Sequence, residues 1–369
     1  MQRWLGLILL TVAAHAGAAP GPSVARQMGS AVADVVERVM PAVVVVRTEA
    51  VQMHLARDPF RGRLYRIPER LAGQGSGAII RKDGYVLTSH HVVKDAQQIE
   101  VALPDGAKFS AKVVGRDPLT DLAVLKIEKA GGRAFPVIEA GDSDKLRVGE
   151  FVIAIGSPFS LNSSVTLGII SQKGRAVGLL PYEDFIQTDA SINPGNSGGP
   201  LVDMDGRLAG INAVIQTASP YAQGNIGIGF AVPANLALRV AEELIARGRM
   251  DRPWLGIQMR DPEQAAEALP RTNRRGRTVT AAAPRGVEVI EVIANAPADK
   301  AGLQVGDRLL RVADQPVTST HAVQRLVWKF RTGETVPLEV SRGGQTKVFK
   351  VVTERMPDAG HAEALLDEE

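Results

Sequence analysis

Between Gly75 and Ala231 apolar residues come in short runs that alternate with Gly, Pro, Asp and Asn. The runs cover residues 78–80, 85–88, 99–103, 111–114, 122–127, 151–155, 165–170, 201–202 and 208–214. Runs of that length suit strands, and turn residues at such close intervals suit an all-β sandwich or barrel. Parallel strands need a crossover of a dozen or more residues, usually a helix, and most of the gaps here are too short for one, which disfavours a parallel sheet. Lys82-Asp83-Gly84, Pro104-Asp105-Gly106 and Asp203-Met204-Asp205-Gly206 are hairpin turn signals.

The flanks read differently. Val24, Met28, Val32, Val35, Val36 and Val39 recur at helical spacing, and Pro41 stops that helix before the buried strand Val43-Val44-Val45-Val46. Residues 52–72, with Arg57, Arg61, Arg63, Arg66 and Arg70, predict a long irregular basic loop, solvated rather than docked on an acidic surface. After Pro233, Leu236, Val240 and Leu244 mark a helix over 234–246 that Gly248 ends. Residues 249–253 read as a linker. Beyond it, strands at 287–292, 308–312, 336–340 and 347–352 with helices at 298–301 and 320–330 make a small α/β domain.

A length of 369 residues fits two such folded units. Lys+Arg 43 against Asp+Glu 40 is too even a balance to argue for nucleic acid. Zero cysteines exclude a disulfide scaffold, a thiol nucleophile, thiolate zinc and iron–sulfur clusters. Met1-Gln2-Arg3, the apolar run 4–14 and the small residues Ala14-His15-Ala16 and Ala16-Gly17-Ala18 describe a removable secretory leader over residues 1–19. The other reading is an uncleaved anchor, but the run is shorter than the ~20 residues of a membrane span. Residues 356–369 read as an acidic, disordered tail.

The strongest chemical signal is Pro194-Gly195-Asn196-Ser197-Gly198-Gly199-Pro200-Leu201. Glycines around a serine permit a strained turn that exposes the hydroxyl. The same turn can aim successive backbone N–H groups at the anionic oxygen of a tetrahedral intermediate. Serine needs a base, and the base needs an orienting acid. His90-His91 ends the strand Tyr85-Val86-Leu87-Thr88, where a side chain can face a cleft. Asp121 opens the strand 122–127 and can sit beneath an imidazole. The chain order His, Asp, Ser is that of chymotrypsin-like double barrels and differs from that of subtilisins and α/β-hydrolases. No H-E-x-x-H occurs and Gly73-Gln74-Gly75-Ser76-Gly77 lacks dinucleotide-loop spacing, so neither metal nor cofactor is expected.

Taken together, these stretches resemble the HtrA/Deg family of serine proteases with PDZ domains. The residues that carry the resemblance are Gly75-Ser76-Gly77-Ala78-Ile79-Ile80, Thr88-Ser89-His90-His91-Val92-Val93, Thr120-Asp121-Leu122-Ala123-Val124-Leu125, Gly156-Ser157-Pro158-Phe159, Ser164-Val165-Thr166-Leu167-Gly168-Ile169-Ile170 and Gln187-Thr188-Asp189-Ala190-Ser191-Ile192-Asn193-Pro194-Gly195-Asn196-Ser197. The resemblance implies a mainly β fold, a chymotrypsin-like double β-barrel protease domain (24–248) followed by one small α/β PDZ domain (252–355). It implies His91 as base, with His90 standing where the family has Asn or Ala, Asp121 as orienting acid and Ser197 as nucleophile. Its oxyanion hole would use Gly195 and Ser197, with Asn196 nearby.

A trypsin-like pocket carries an acid at the sixth position before the serine, and Ser191 stands there. Ser191, Ile192, Asn212 and Ala213 are therefore the expected pocket walls, suited to small or medium aliphatic side chains. Pro253-Trp254-Leu255-Gly256-Ile257 resembles the loop of a PDZ domain that takes a free C-terminal carboxylate, with Arg252 assisting, and the peptide would add as a strand. Pro297-Ala298-Asp299-Lys300-Ala301-Gly302-Leu303 and the strand after it are similar to PDZ elements, with Ala313-Asp314 in place of the family's Asn-Gly. The basic insert 271–277 reads as a solvated loop. The expected activity is an exported, periplasmic endopeptidase of misfolded proteins controlled by C-terminal peptides, and the resemblance implies a homotrimer. A sensor protease for one membrane protein and a peptide-binding scaffold of low activity are the alternatives.

Overall fold

The computed structural model describes residues 22–57, 64–156, 164–180, 182–215, 225–262, 271–272, 278–279 and 286–357. The leader, residues 157–159 of one motif, most of the insert 271–277 and all but the start of the acidic tail lie outside them.

Helix α1 (Pro22–Val39) runs into a 3-10 turn at Met40–Ala42 and buries Val35 and Val39 against the barrels. Six strands follow: β1 (Val43–Arg57), β2 (Leu64–Arg81), β3 (Tyr85–Ser89), β4 (Gln98–Ala102), β5 (Lys108–Asp117) and β6 (Leu122–Ile127), with the one-turn helix α2 (His90–Val93) after β3. They close antiparallel in the order β1-β2-β3-β6-β5-β4. Val44, Val46, Ile79, Val86, Val101 and Leu125 fill the interior.

Residues 52–72 correct the expectation of a loop. β1 and β2 stay in register from Val43↔Ala78 out to Arg57↔Leu64, whereas β4 pairs only with Val45–Glu49 of β1. The rest of the hairpin projects from the barrel as a two-stranded arm. Val51, Met53 and Leu71 on it are exposed. Where successive residues are all exposed, as at 51–53 and 68–71, no buried face enforces alternation, so the sequence there shows no period of two.

The second barrel comprises β7 (Glu139–Ala140), β8 (Phe151–Gly156), β9 (Ser164–Arg175), β10 (Phe185–Thr188), β11 (Pro200–Asp203), β12 (Arg207–Ile215) and β13 (Gly229–Pro233). Pairing of β11 with β12 closes β11-β8-β9-β10-β13-β12 into a ring, and β7 adds to β12 in parallel. Helix α3 (Ala234–Arg247) then returns across both barrels. Ala237, Val240, Ala241 and Leu244 on one face join Leu122 and Val124 of the first barrel and Ile153 and Ile155 of the second in one core. Gly248 ends it in the left-handed conformation, its N–H on the Leu244 carbonyl.

The last domain holds β14 (Pro253–Trp254), β15 (Ile257–Arg260), β16 (Val287–Val292), α4 (Pro297–Lys300), β17 (Arg308–Val312), α5 (Thr320–Val327), β18 (Thr335–Arg342), β19 (Gln345–Val352) and β20 (Glu354–Arg355). Its main sheet runs β15-β16-β17-β18-β19, which leaves β15 at an edge, while β14 pairs with β20. Ser319 caps α5 by accepting from the Ala322 N–H. Val289, Leu309, Val323, Val336 and Leu338 form its core.

Candidate active site

Asp121 sits at the turn between β5 and β6 with φ 57°, a left-handed conformation that a non-glycine residue rarely adopts. The strain points its carboxylate at α2. Oδ1 accepts from the His91 backbone N–H at 2.8 Å and Oδ2 lies 2.6 Å from His91 Nδ1. A carboxylate held in this way fixes the Nδ1–H tautomer and leaves Nε2 free to take a proton. Asp121 is buried while the His91 ring stays part-exposed. His90 gives Asp121 only its backbone: its N–H donates to the Asp121 carbonyl at 2.9 Å. The His90 Nδ1 is buried and has no partner among the described residues. Burial, reinforced by Arg116, His91 and Lys94 against the pull of Asp121, lowers the His90 pKa. His90 therefore stays neutral beside His91 near neutral pH.

Ser197 stands at the turn into β11. The first barrel grips that turn: Ser76 Oγ donates to the Gly195 carbonyl at 2.6 Å, and the Ser76 N–H donates to the Ser197 carbonyl at 2.9 Å. Thr88 in turn ties the Ser76 carbonyl at 2.7 Å. The barrels approach so closely that a Cβ at Gly198, φ +82°, would stand 2.3 Å from the Ser76 carbonyl oxygen. Only glycine fits there. Within the turn, the N–H groups of Asn196, Gly198 and Gly199 donate to the carbonyls of Asn193, Asn212 and Asn196. Those of Gly195 and Ser197 donate to no backbone carbonyl among the described residues. Two such N–H groups beside the Ser197 hydroxyl are what an oxyanion would need. Asn196 does not belong with them: its N–H is committed, and its buried side chain donates to the Ser191 carbonyl. The Ser197 hydroxyl donates to the Ala213 carbonyl at 3.2 Å.

Ser197, His91 and Asp121 open into one cleft of about 650 Å³, whose other walls include Ile192, Pro194, Ala213, Leu179 and Leu180. Ile192 and Ala213 lie where the sequence places them. Ser191 and Asn212 do not line the cleft. The Ser191 carbonyl is bound by Thr166 Oγ1, and Asn212 is buried beneath the nucleophile turn, bonding Gly198, Gly199 and Pro200. Leu179 and Leu180 were missed because they come from a loop whose sequence has no period.

A model of the trypsin-like peptidase domain matches residues 75–211, and one of the PDZ domain matches residues 253–353. A solved structure titled HtrA-type protease AlgW with decapeptide superimposes at TM-score 0.68 with 39% identity, covering 88% of this chain and 99% of that one. The chain belongs to the HtrA family of serine proteases. The serine endoprotease from Yersinia pestis is 36% identical at TM-score 0.59, covering 88% of this chain and 98% of that one. A protein of Ectopseudomonas mendocina named probable periplasmic serine endoprotease DegP-like is 43% identical over 78% of this chain and 57% of its own length. A protein of the same name from Chlamydia trachomatis is 39% identical over 84% of this chain and 61% of its own. The chain thus spans little more than half the length of these curated relatives.

The PDZ domain of this HtrA chain presents its loop as a tight turn between β14 and β15. The carbonyls of Leu255 and Gly256 accept from Ala298 and Ile293. The N–H groups of Leu255 and Gly256 donate to no backbone carbonyl among the described residues, and Ile257 opens the edge strand β15 opposite Val292. Trp254 is paired with Glu354. Arg252 is a correction. It does not stand at that loop but is buried against the protease domain, its Nη2 on Asp117 Oδ2 at 2.5 Å and its guanidinium over the Tyr182 ring at 4.6 Å. A guanidinium beside a buried carboxylate stays with it rather than reaching for a peptide. Residues 249–253 are likewise no free linker, since Asp251 binds Arg247, Arg249 and Arg355.

The PDZ domain also touches the loop that walls the cleft. Trp328, just past α5, stacks on Tyr182 with centroids 3.9 Å apart. Arg239 of α3 donates to the carbonyls of Trp328 and Phe330.

Proposed function

We propose that this chain is an envelope serine endopeptidase that cleaves unfolded or damaged proteins and is controlled by C-terminal peptides at its PDZ domain. The observation that carries this reading is Asp121 bonded through both carboxylate oxygens to His91, in one cleft with Ser197. Ser197 attacks the peptide carbonyl as His91 Nε2 takes its proton, and Asp121 stabilises the imidazolium. The oxygen that becomes negative is received by the N–H groups of Gly195 and Ser197. His91 returns the proton to the leaving amine, and water resolves the acyl-enzyme.

The roles of the two histidines separate cleanly. His91→Ala should lower kcat/KM by about 10⁴-fold or more, as loss of a triad base does. His90→Ala, which removes no bond to Asp121, should stay within about threefold. A rate series on one peptide measures both, and the reverse order would move the base to His90.

The cleft walls Ile192, Ala213, Leu179 and Leu180 are apolar, and the one carboxylate among its described lining residues, Asp121, is already engaged by His91. The pocket should therefore accept small to medium aliphatic side chains before the cut and reject Lys and Arg. Cleavage of a peptide library read by mass spectrometry tests this, and cutting mainly after Arg refutes it.

The relatives named periplasmic and the leader-like start support an envelope location. Solved structures of AlgW carry a decapeptide or a tripeptide. The open edge of β15 and the unspent N–H groups of Leu255 and Gly256 support peptide capture here. A homotrimer follows from the family resemblance. Digestion of folded and unfolded protein mixtures, with and without added C-terminal peptides, tests the whole reading. A digest that unfolding and peptides both leave unchanged would reject quality control and PDZ control together.

A further inference from the structure

The loop between β9 and β10 contains an internal anion site filled by the chain itself. The Glu183 side chain is buried, with 3% of the residue exposed. Its Oε2 accepts from the N–H groups of Val177 and Gly178 (2.9 Å for Gly178), and its Oε1 from those of Leu179 and Leu180 (2.7 Å for Leu180). Four successive N–H groups turned to one point form a nest, which favours negative charge. Burial alone would raise the Glu183 carboxyl, yet the four donors outweigh it and hold the pKa below the ordinary value. Two residues carrying these donors, Leu179 and Leu180, are walls of the catalytic cleft. The residues on either side of Glu183 face the PDZ domain: Tyr182 stacks on Trp328, and Asp184 lies 4.0 Å from Arg325.

We propose that Glu183 is a positioning residue for substrate binding, its carboxylate fixing Leu179 and Leu180 as the apolar wall against which the peptide packs. A loop with four adjacent unpaired donors would otherwise turn them to water and carry the two leucines with it. Glu183 touches neither the triad nor the oxyanion donors, so its effect falls on the binding of the chain to be cut, not on attack by Ser197.

This rests on the peptidase reading, and labelling of Ser197 by a fluorophosphonate probe keeps the two apart. In Glu183→Gln one oxygen remains an acceptor while the amide N–H₂ faces donors, so two of the four bonds are lost. KM for an apolar peptide should rise about tenfold, the cost of a charged hydrogen bond or two. kcat should stay within about threefold, and the labelling rate should match the parent's. Leu180→Ala should raise KM similarly, and the double variant should add little to it, because both changes remove one wall. Glu183→Asp, shorter by one methylene, should fall between and serves if the Gln variant does not fold. An unchanged KM in a folded variant, fully additive effects in the double variant, or labelling that falls in step with turnover would each overturn the proposal. Failure of the unmodified protein to label would instead count against the peptidase reading.

Discussion

Replacing Ser197 by alanine should lower kcat/KM for a peptide substrate by up to about 10⁶-fold, the loss seen when a triad acts as a unit. The fold should not register the change. Among the described residues the Ser197 hydroxyl makes one hydrogen bond, to Ala213, and the turn itself is held by backbone and by Ser76. Thermal unfolding of the variant should therefore sit within a few degrees of the parent, while the fluorophosphonate probe should no longer attach. What activity remains should come from the Gly195 and Ser197 N–H groups, which the substitution leaves in place. Proteolysis persisting near the parental rate in a clean preparation would remove Ser197 from the mechanism. A large fall in unfolding temperature would show that the loss is one of structure.

Ser197 was legible as a candidate nucleophile because the constraints on its turn are local. A serine among glycines at a strand entrance reads as an exposed hydroxyl, and the structure adds why Gly198 cannot be anything else: the Ser76 carbonyl occupies the space. The acid was less legible. Asp121 sits in a sequence that looks like an ordinary turn, and nothing in that sequence marks its left-handed φ of 57°. The barrels followed from run length and turn residues, since strands such as β3, β6, β8 and β11 are buried along most of their length. The arm of β1 and β2 did not, because residues exposed one after another, as at 51–53 and 68–71, are free to be polar or apolar. Two of the four pocket walls, Ser191 and Asn212, failed in a different way. Ser191 was chosen by counting back from the serine, whereas the structure spends its carbonyl on Thr166 and Asn196. Leu179, Leu180 and Glu183 depend on a backbone nest that no residue pattern announces. Arg252 had two anionic destinations within reach of its sequence position, and only the fold says that Asp117 is the one it meets.

That buried pair sets the largest expected loss of stability. Arg252 and Asp117 have side chains 8% and 3% exposed. Asp117 also accepts from the Thr120 hydroxyl, in the same turn that carries Asp121. Arg252→Ala leaves the Asp117 carboxylate buried with one neutral donor, and breaking a buried pair from one side costs about 3–5 kcal/mol. The contrast is Arg247, whose pairs with Glu243 and Asp251 lie at a guanidinium 55% exposed. Arg247→Ala should cost at most about 1 kcal/mol, since water and salt already screen those pairs. The double change Arg252→Met with Asp117→Leu removes both charges together and should recover most of the loss, as apolar replacements of buried pairs do. Urea unfolding of the four proteins compares these values directly. If Arg252→Ala unfolds no earlier than Arg247→Ala, the pair contributes nothing to the fold. If the double variant is as unstable as Arg252→Ala, the loss comes from guanidinium packing on Tyr182 rather than from a stranded charge. The two domains meet at this point, so a stranded Asp117 should also loosen the turn that aims Asp121. Arg252→Ala should then lower kcat at temperatures where the chain is still folded, and the double variant should restore it.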